Sequence, residues 1–286
     1  MLRRFLTLIL FVAVAGAVAA YIVTAPDSVE PARFTGLEGD ATAGETVYWA
    51  AGCASCHAAE DDEARTLLSG GHRLQSDFGT FVTPNISPDP THGIGAWTLT
   101  DFANSILKGT SPAGSHYYPA YPYASYAAMT DKDVADLWAF LLTLPISDKP
   151  SAPHELGFPF NIRLSLGGWK MLYLHSSPQT PEDRGTYLVE VLGHCAECHT
   201  PRDALGGLDR SRWMAGAPNP SGEGNIPPLT PDKLTWSETD IAYYLETGFT
   251  PDFDSAGGSM VSVIKGTAKL SAEDRTAITA YIKALP

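Results

Sequence analysis

Four cysteines and five methionines are all the sulfur in a chain of 286 residues, and positive charge is scarce too, with 19 Lys and Arg against 32 Asp and Glu. A formal charge of −13 argues against nucleic acid as a partner and suits a basic docking face on another protein, where the field acts mainly on encounter rate. Low-complexity tracts are absent. Gly206-Gly207 and Gly257-Gly258 lack a phosphate-loop pattern and no serine sits in a nucleophile elbow, so phosphate cradling and serine hydrolysis find no residues here. What remains, 44% hydrophobic residues with 22 prolines, suits compact modules with many turns in a length that allows two domains.

The few cysteines are not scattered. They stand in Cys53-Ala54-Ser55-Cys56-His57 and Cys195-Ala196-Glu197-Cys198-His199, the pattern in which two sulfurs bond the haem vinyl groups and the next histidine takes the iron. On a helix, positions three and four apart share a face, so Cys53, Cys56 and His57 can address one porphyrin. A zinc module is a poor fit, because Cys56 and Cys195 stand much farther apart in sequence than the ligand pairs of such modules. Two disulfides would not call for a histidine at the same place twice. The cysteines therefore predict two covalently bound haem c groups, with His57 and His199 as iron ligands and no catalytic residues.

Arg3 and Arg4 precede an uncharged, mostly apolar run from Phe5 to Val23, close to the roughly 20 residues that cross a bilayer as a helix. Basic residues before it and Asp27 and Glu30 after it put the N-terminus in the cytoplasm and the rest outside. Ala17-Val18-Ala19 resembles a cleavage site, but the apolar run continues to Val23, which favours an uncleaved anchor over 1–25. Either outcome delivers the chain to a bacterial periplasm, where c-type haem is attached; the anchored form would sit on the inner membrane. Residues 26–39, rich in Pro and acidic residues, read as a tether.

The remainder is written twice. Trp97-Thr98-Leu99-Thr100-Asp101 opens a helix that runs to about Lys108 and stops at Gly109, with Thr98 or Thr100 as cap. Trp236-Ser237-Glu238-Thr239-Asp240 opens one that stops at Gly248, and the step from Trp97 to Trp236 equals the step from Gly109 to Gly248. Thr130 to Leu144 and Ser271 to Leu285 form terminal helices at nearly the same offset, each with a hydroxyl cap and an acidic residue three places on. Apolar stripes at Val134, Leu137, Trp138, Leu141 and at Ile278, Tyr281, Ile282, Leu285 read as ordinary core. An internal duplication follows: unit one over 40–146, a linker over 147–180, unit two over 181–286, each a small all-α design. The proline-punctuated stretch Thr83 to Asp89 has no helical period and suits a loop lying against a flat apolar group.

What occupies each iron's other face separates electron carriage from substrate chemistry. Met129 and Met260 each precede a terminal helix, where a cytochrome c fold presents its thioether, and are the expected second iron ligands of the two units; His/Met ligation raises the reduction potential. The two are out of strict register, since their spacing falls short of the repeat offset. Met171, in an apolar linker, is better explained by packing; Met214 is a minor rival. His72, His92 and His116 lie in polar loops, and His194 cannot easily turn back onto the iron of its own motif. The linker's Phe158, Phe160, Ile162, Leu164, Trp169, Met171, Leu172 and Tyr173 either pack across both units or form a contact surface for the membrane or a partner subunit.

Gly70-Gly71-His72-Arg73-Leu74, Phe78 through Asp89, Gly93-Ile94-Gly95-Ala96-Trp97, Tyr118-Pro119-Ala120-Tyr121-Pro122-Tyr123, Phe158 through Arg163 and Gly193 through Arg202 together resemble the membrane-bound cytochrome c subunits of bacterial periplasmic alcohol, gluconate and aldehyde dehydrogenases. The resemblance implies tandem cytochrome c domains behind an N-terminal transmembrane helix. They would take electrons from a partner dehydrogenase and pass them to quinone, another cytochrome or a terminal oxidase; the bc1 complex is a second candidate donor. The alcohol and gluconate dehydrogenase subunits carry three haem motifs where this chain carries two, which bears on direct quinone reduction. Tyr121 stands where relatives often have an apolar residue or methionine. Two other classes compete: a dihaem peroxidase or thiosulfate-oxidising enzyme with one open haem face, and a structural subunit. A cysteine-ligated iron is excluded, since all four thiols are committed to attachment.

Overall fold

The structure is a computed structural model that describes residues 2–174, 178–220, 222 and 224–286. An apolar helix α1 (Leu2–Val23) leads into unit one: α2 (Ala41–Ala50), the short α3 (Cys53–His57), a hairpin of β1 (Arg73–Ser76) and β2 (Gly79–Val82), then α4 (Leu99–Lys108), α5 (Tyr123–Tyr126) and α6 (Asp131–Leu141). The linker adds β3 (Glu155–Leu156) and α7 (Ser165–Tyr173). Unit two repeats the plan: α8 (Arg184–Thr186) runs on as wider π turns over Tyr187–Leu192, followed by α9 (Ala196–His199), a two-residue pair β4 (Ala217–Pro218) and β5 (Asn225–Ile226), then α10 (Glu238–Thr247), α11 (Met260–Thr267) and α12 (Ala272–Lys283). Helices carry the architecture, but the all-α expectation omits two small antiparallel sheets, ordered β1-β2-β3 and β4-β5. Linker residues extend the first of them, with Glu155 opposite Thr80 and ion-paired to Arg73.

The helix boundaries follow local chemistry. Thr98 accepts from the Asp101 N–H while Asp101 accepts from the Thr98 N–H, and Ser237 and Asp240 make the same reciprocal box. Thr130 and Ser271 cap the terminal helices by accepting from the Asp133 and Asp274 N–H groups. Gly109 and Gly248 end α4 and α10 in the left-handed region, φ 59° and 78°, which glycine enters without a Cβ penalty.

In each unit the helix that leads to the motif crosses the terminal helix at a glycine. A Cβ on Gly44 would stand 2.0 Å from the Asp136 carbonyl oxygen, and one on Gly185 would stand 2.3 Å from that of Ala277. The two units share one core: Val47, Tyr48, Phe102 and Trp138 from the first lie in the same buried cluster as Leu188, Leu192, Ile241 and Ile278 from the second.

Residues 26–39 do not behave as the expected tether. Val29 and Phe34 are buried, the Val29 N–H donates to Asn104 at 2.7 Å, Asp27 pairs with Lys108 at 2.8 Å, and Arg33 pairs with Asp131. Two apolar side chains reaching a long-range partner are enough to dock a segment whose composition otherwise reads as flexible. The linker packs as well. Lys170 donates to the carbonyls of Lys108 and Gly109, Arg163 donates to that of His116, and Trp169 and Tyr173 bond Leu205 and Asp203 of unit two. It bridges both units, while Phe158, Met171 and Leu172 stay exposed.

Candidate functional site

Each thiol pair sits on a single turn of helix with its histidine at the turn's end. Gly52, at φ 65°, starts α3 and points Cys53, Cys56 and His57 to one side. The His57 imidazole hydrogen-bonds the Pro84 carbonyl through Nδ1 at 2.8 Å, and the His199 imidazole does the same to Pro227 at 2.7 Å. An Nδ1–H spent on a carbonyl fixes the ring and leaves the Nε2 lone pair for a metal. Burial, the largest influence, pushes His57 down to about 4 and lowers His199 as well, which favours the neutral ring that an iron ligand requires. Pro84 is itself held, since Asn85 donates to the carbonyls of Ser147 and Lys149, each at 2.8 Å. The loop 83–89 is thus a backbone cradle for the imidazole.

The thiols are unsuited to other work. Burial pushes Cys53 and Cys195 up to about 12, so neither is a ready thiolate for redox exchange. Among the described residues no cluster of three or more His, Cys, Asp or Glu is placed to hold a metal ion. The donor set at each motif, two sulfurs and one oriented imidazole, matches what covalent haem requires.

The motifs also face one another. Cys56 and Cys198 are close enough for the charge of one to act on the other. His194, at φ 38°, turns away from its own motif: its ring bonds the Ala51 backbone, and its Nε2 lies 3.9 Å from where a Gly52 Cβ would be. The Tyr126 hydroxyl donates to the Ala51 carbonyl at 2.6 Å, and its ring meets His194 edge-on at 5.4 Å. Ser55 of α3 donates to Ser262 of α11 at 3.2 Å. Sequence reasoning missed Tyr126, Ala51 and this use of His194, because nothing in spacing says which loop of one unit meets which loop of the other.

The four methionines beyond Met1 fall in different settings. Met260 begins α11, half-buried against the core. Met129 is 2% exposed and immediately precedes the Thr130 cap of α6. Met214 is fully buried, and its carbonyl accepts from Leu229 as that of fully buried Leu68 accepts from Ile86 in unit one, which gives it a packing role. Met171 is exposed on α7. Of the histidines, His116 bonds the Thr24 carbonyl at 2.8 Å at the end of the apolar helix, and His92 lies beside Asp89.

Two helical units, each presenting a paired-thiol turn and a histidine aimed by a proline carbonyl, define a c-type cytochrome with two covalent haem groups. The Cytochrome c family model matches residues 41–145 and 184–286, and the chain belongs to that family. It is 56% identical, across its whole length and 99% of the relative's, to a "Diheme cytochrome c-type" protein of Cereibacter sphaeroides. It is 37% identical to a fructose dehydrogenase cytochrome subunit of Gluconobacter japonicus over 83% of this chain and 51% of that one. It is 34% identical to an alcohol dehydrogenase (quinone) cytochrome c subunit of Gluconobacter oxydans over 85% and 54%. The chain spans about half the length of those dehydrogenase subunits. It carries electrons rather than catalysing a reaction of its own.

Proposed function

We propose that this cytochrome moves single electrons at the outer face of a bacterial inner membrane. It takes them from a periplasmic dehydrogenase or the bc1 complex and passes them toward another cytochrome or a terminal oxidase. The observation that carries this reading is the doubled imidazole–proline carbonyl geometry on two motifs that abut within one core. Bound haem supplies a one-electron couple. Cys53, Cys56, Cys195 and Cys198 would provide the tethers, His57 and His199 imidazole ligands, Met260 the thioether for the second iron, and the Pro84 and Pro227 carbonyls would aim the imidazoles. The relatives named as dehydrogenase subunits support a dehydrogenase donor. Stopped-flow mixing of the purified protein with a reduced donor should reduce both haems within the donor's turnover time. Sustained peroxide turnover, or failure of every donor to reduce either haem, would overturn the proposal. With a basic donor the second-order rate should fall as salt rises from about 0.01 M to 0.15 M, because the Debye length shrinks from about 30 to 8 Å. A flat response would remove the steering role of the −13 charge.

The helix α1 is apolar along Arg3–Val23 and makes no buried contact. We propose that it stays attached and spans the bilayer. The protein should then require detergent for extraction from membranes and begin at or near Met1 by N-terminal sequencing; a soluble form beginning near Ala20 would show a cleaved signal instead.

A further inference from the structure

The duplicated architecture narrows which residue of unit one stands where Met260 stands in unit two. After the α4 stop, Thr110 pairs with His116 in an isolated antiparallel bridge, and the Tyr117 N–H donates to the Gly109 carbonyl. After the α10 stop, Phe249 pairs with Ser255, and the Ala256 N–H donates to the Gly248 carbonyl. Every member of the second set lies one and the same step along the chain from its counterpart in the first. That step taken back from Met260 arrives at Tyr121. Counting instead from the terminal-helix caps, Thr130 and Ser271, arrives at Pro119, so the window 119–121 holds no methionine by either count.

Met129 has a different counterpart. It directly precedes the Thr130 cap, as Leu270 directly precedes the Ser271 cap, and the two are 2% and 5% exposed. An apolar residue just ahead of a cap packs on the first turn of the helix, which for Met129 ends at buried Val134. Protein seals Met129 on every side. Cys53, Cys56, His57, Cys195 and His199 all keep an open face, and so do Tyr121 and Met260. Tyr121 sits among Tyr117 and Tyr126, with ring centroids at 5.9 and 6.0 Å, its hydroxyl bonded to Ser105 and close enough to Cys53 for the charge of one to act on the other.

Resting on the two-haem reading above, we propose that Tyr121, not Met129, faces the far side of the first iron, so that the pair is His57/Tyr121 in unit one and His199/Met260 in unit two. A methionine opposite histidine raises the potential of its iron, and a tyrosine oxygen does not. The two haems are therefore unequal, the first being the lower.

The test uses the full-length protein with its haems in place. Mass analysis comes first: fewer than two covalent haems would defeat the functional reading itself, independently of the ligand assignment. With two present, the oxidised protein should show the long-wavelength methionine-to-iron absorption at an intensity for one haem only, and a redox titration should resolve two waves. Met260→Ala should abolish that absorption, Met129→Leu should leave it unchanged, and Tyr121→Met should double it and raise the lower wave. Halving by Met129→Leu, or no gain in Tyr121→Met, overturns the proposal.

Discussion

A Cys53→Ser/Cys56→Ser double variant is expected to carry one haem instead of two, with about half the haem absorbance per chain, since both tethers of the first porphyrin are gone. The loss will not stay local. Cys53 packs against the core that both units share, and α3 with the turn before it reaches unit two through Ser55–Ser262, Cys56–Cys198 and the Ala51–His194 contact. Buried apolar side chains arranged around a porphyrin lose their packing partner when it cannot attach, and such losses in a core cost several kcal/mol. Thermal melts followed at the remaining haem should therefore shift down, although that haem belongs to unit two. Cys195→Ser/Cys198→Ser should show the mirror effect at the first haem. An unshifted melt of the surviving unit would mean that the units fold independently.

Gly44→Val is the second large effect. Its Cβ would lie 2.0 Å from the Asp136 carbonyl oxygen and 2.8 Å from the Phe140 Cβ, so the clash is with a helix backbone that cannot swing aside. Asp136 also holds the crossing by accepting from the Asp40 N–H at 2.6 Å, its carboxylate being steadied within α6 by an ion pair with Lys132. Any retreat of α6 weakens the cap region of α2 as well. Overpacking of this kind costs about 3 kcal/mol or somewhat more, which lowers the melting temperature by roughly 6–12 °C in a protein of this size. A shift below about 2 °C, the equivalent of about 1 kcal/mol or less, would show that the helices separate cheaply. Gly185→Val, facing the Ala277 carbonyl at 2.3 Å, should behave alike.

Much of this was readable in advance where the chemistry is local. The haem motifs, the Thr98, Thr130, Ser237 and Ser271 caps and the Gly109 and Gly248 stops each involve residues within a few positions of one another, so spacing reveals them. The docking of Val29 and Phe34, the addition of Glu155–Leu156 to a hairpin, and the meeting of His194 with Ala51 depend on partners far apart along the chain, for which a lone sequence offers no local signal. Met129 illustrates the intermediate case. Thioether chemistry and proximity to the last helix single it out, but its burial and its match to Leu270 appear only once the two units are placed side by side.

The seam between the two motifs has a consequence for kinetics. Ala51, Tyr126, His194, Ser55 and Ser262 are stitched together across it, so the folded chain would hold two bound porphyrins at one fixed gap. Viscosity, crowding and tonicity will then govern only how charge arrives and departs. Passage between the irons, one losing an electron as the other gains it, should proceed at a pace indifferent to the surrounding medium.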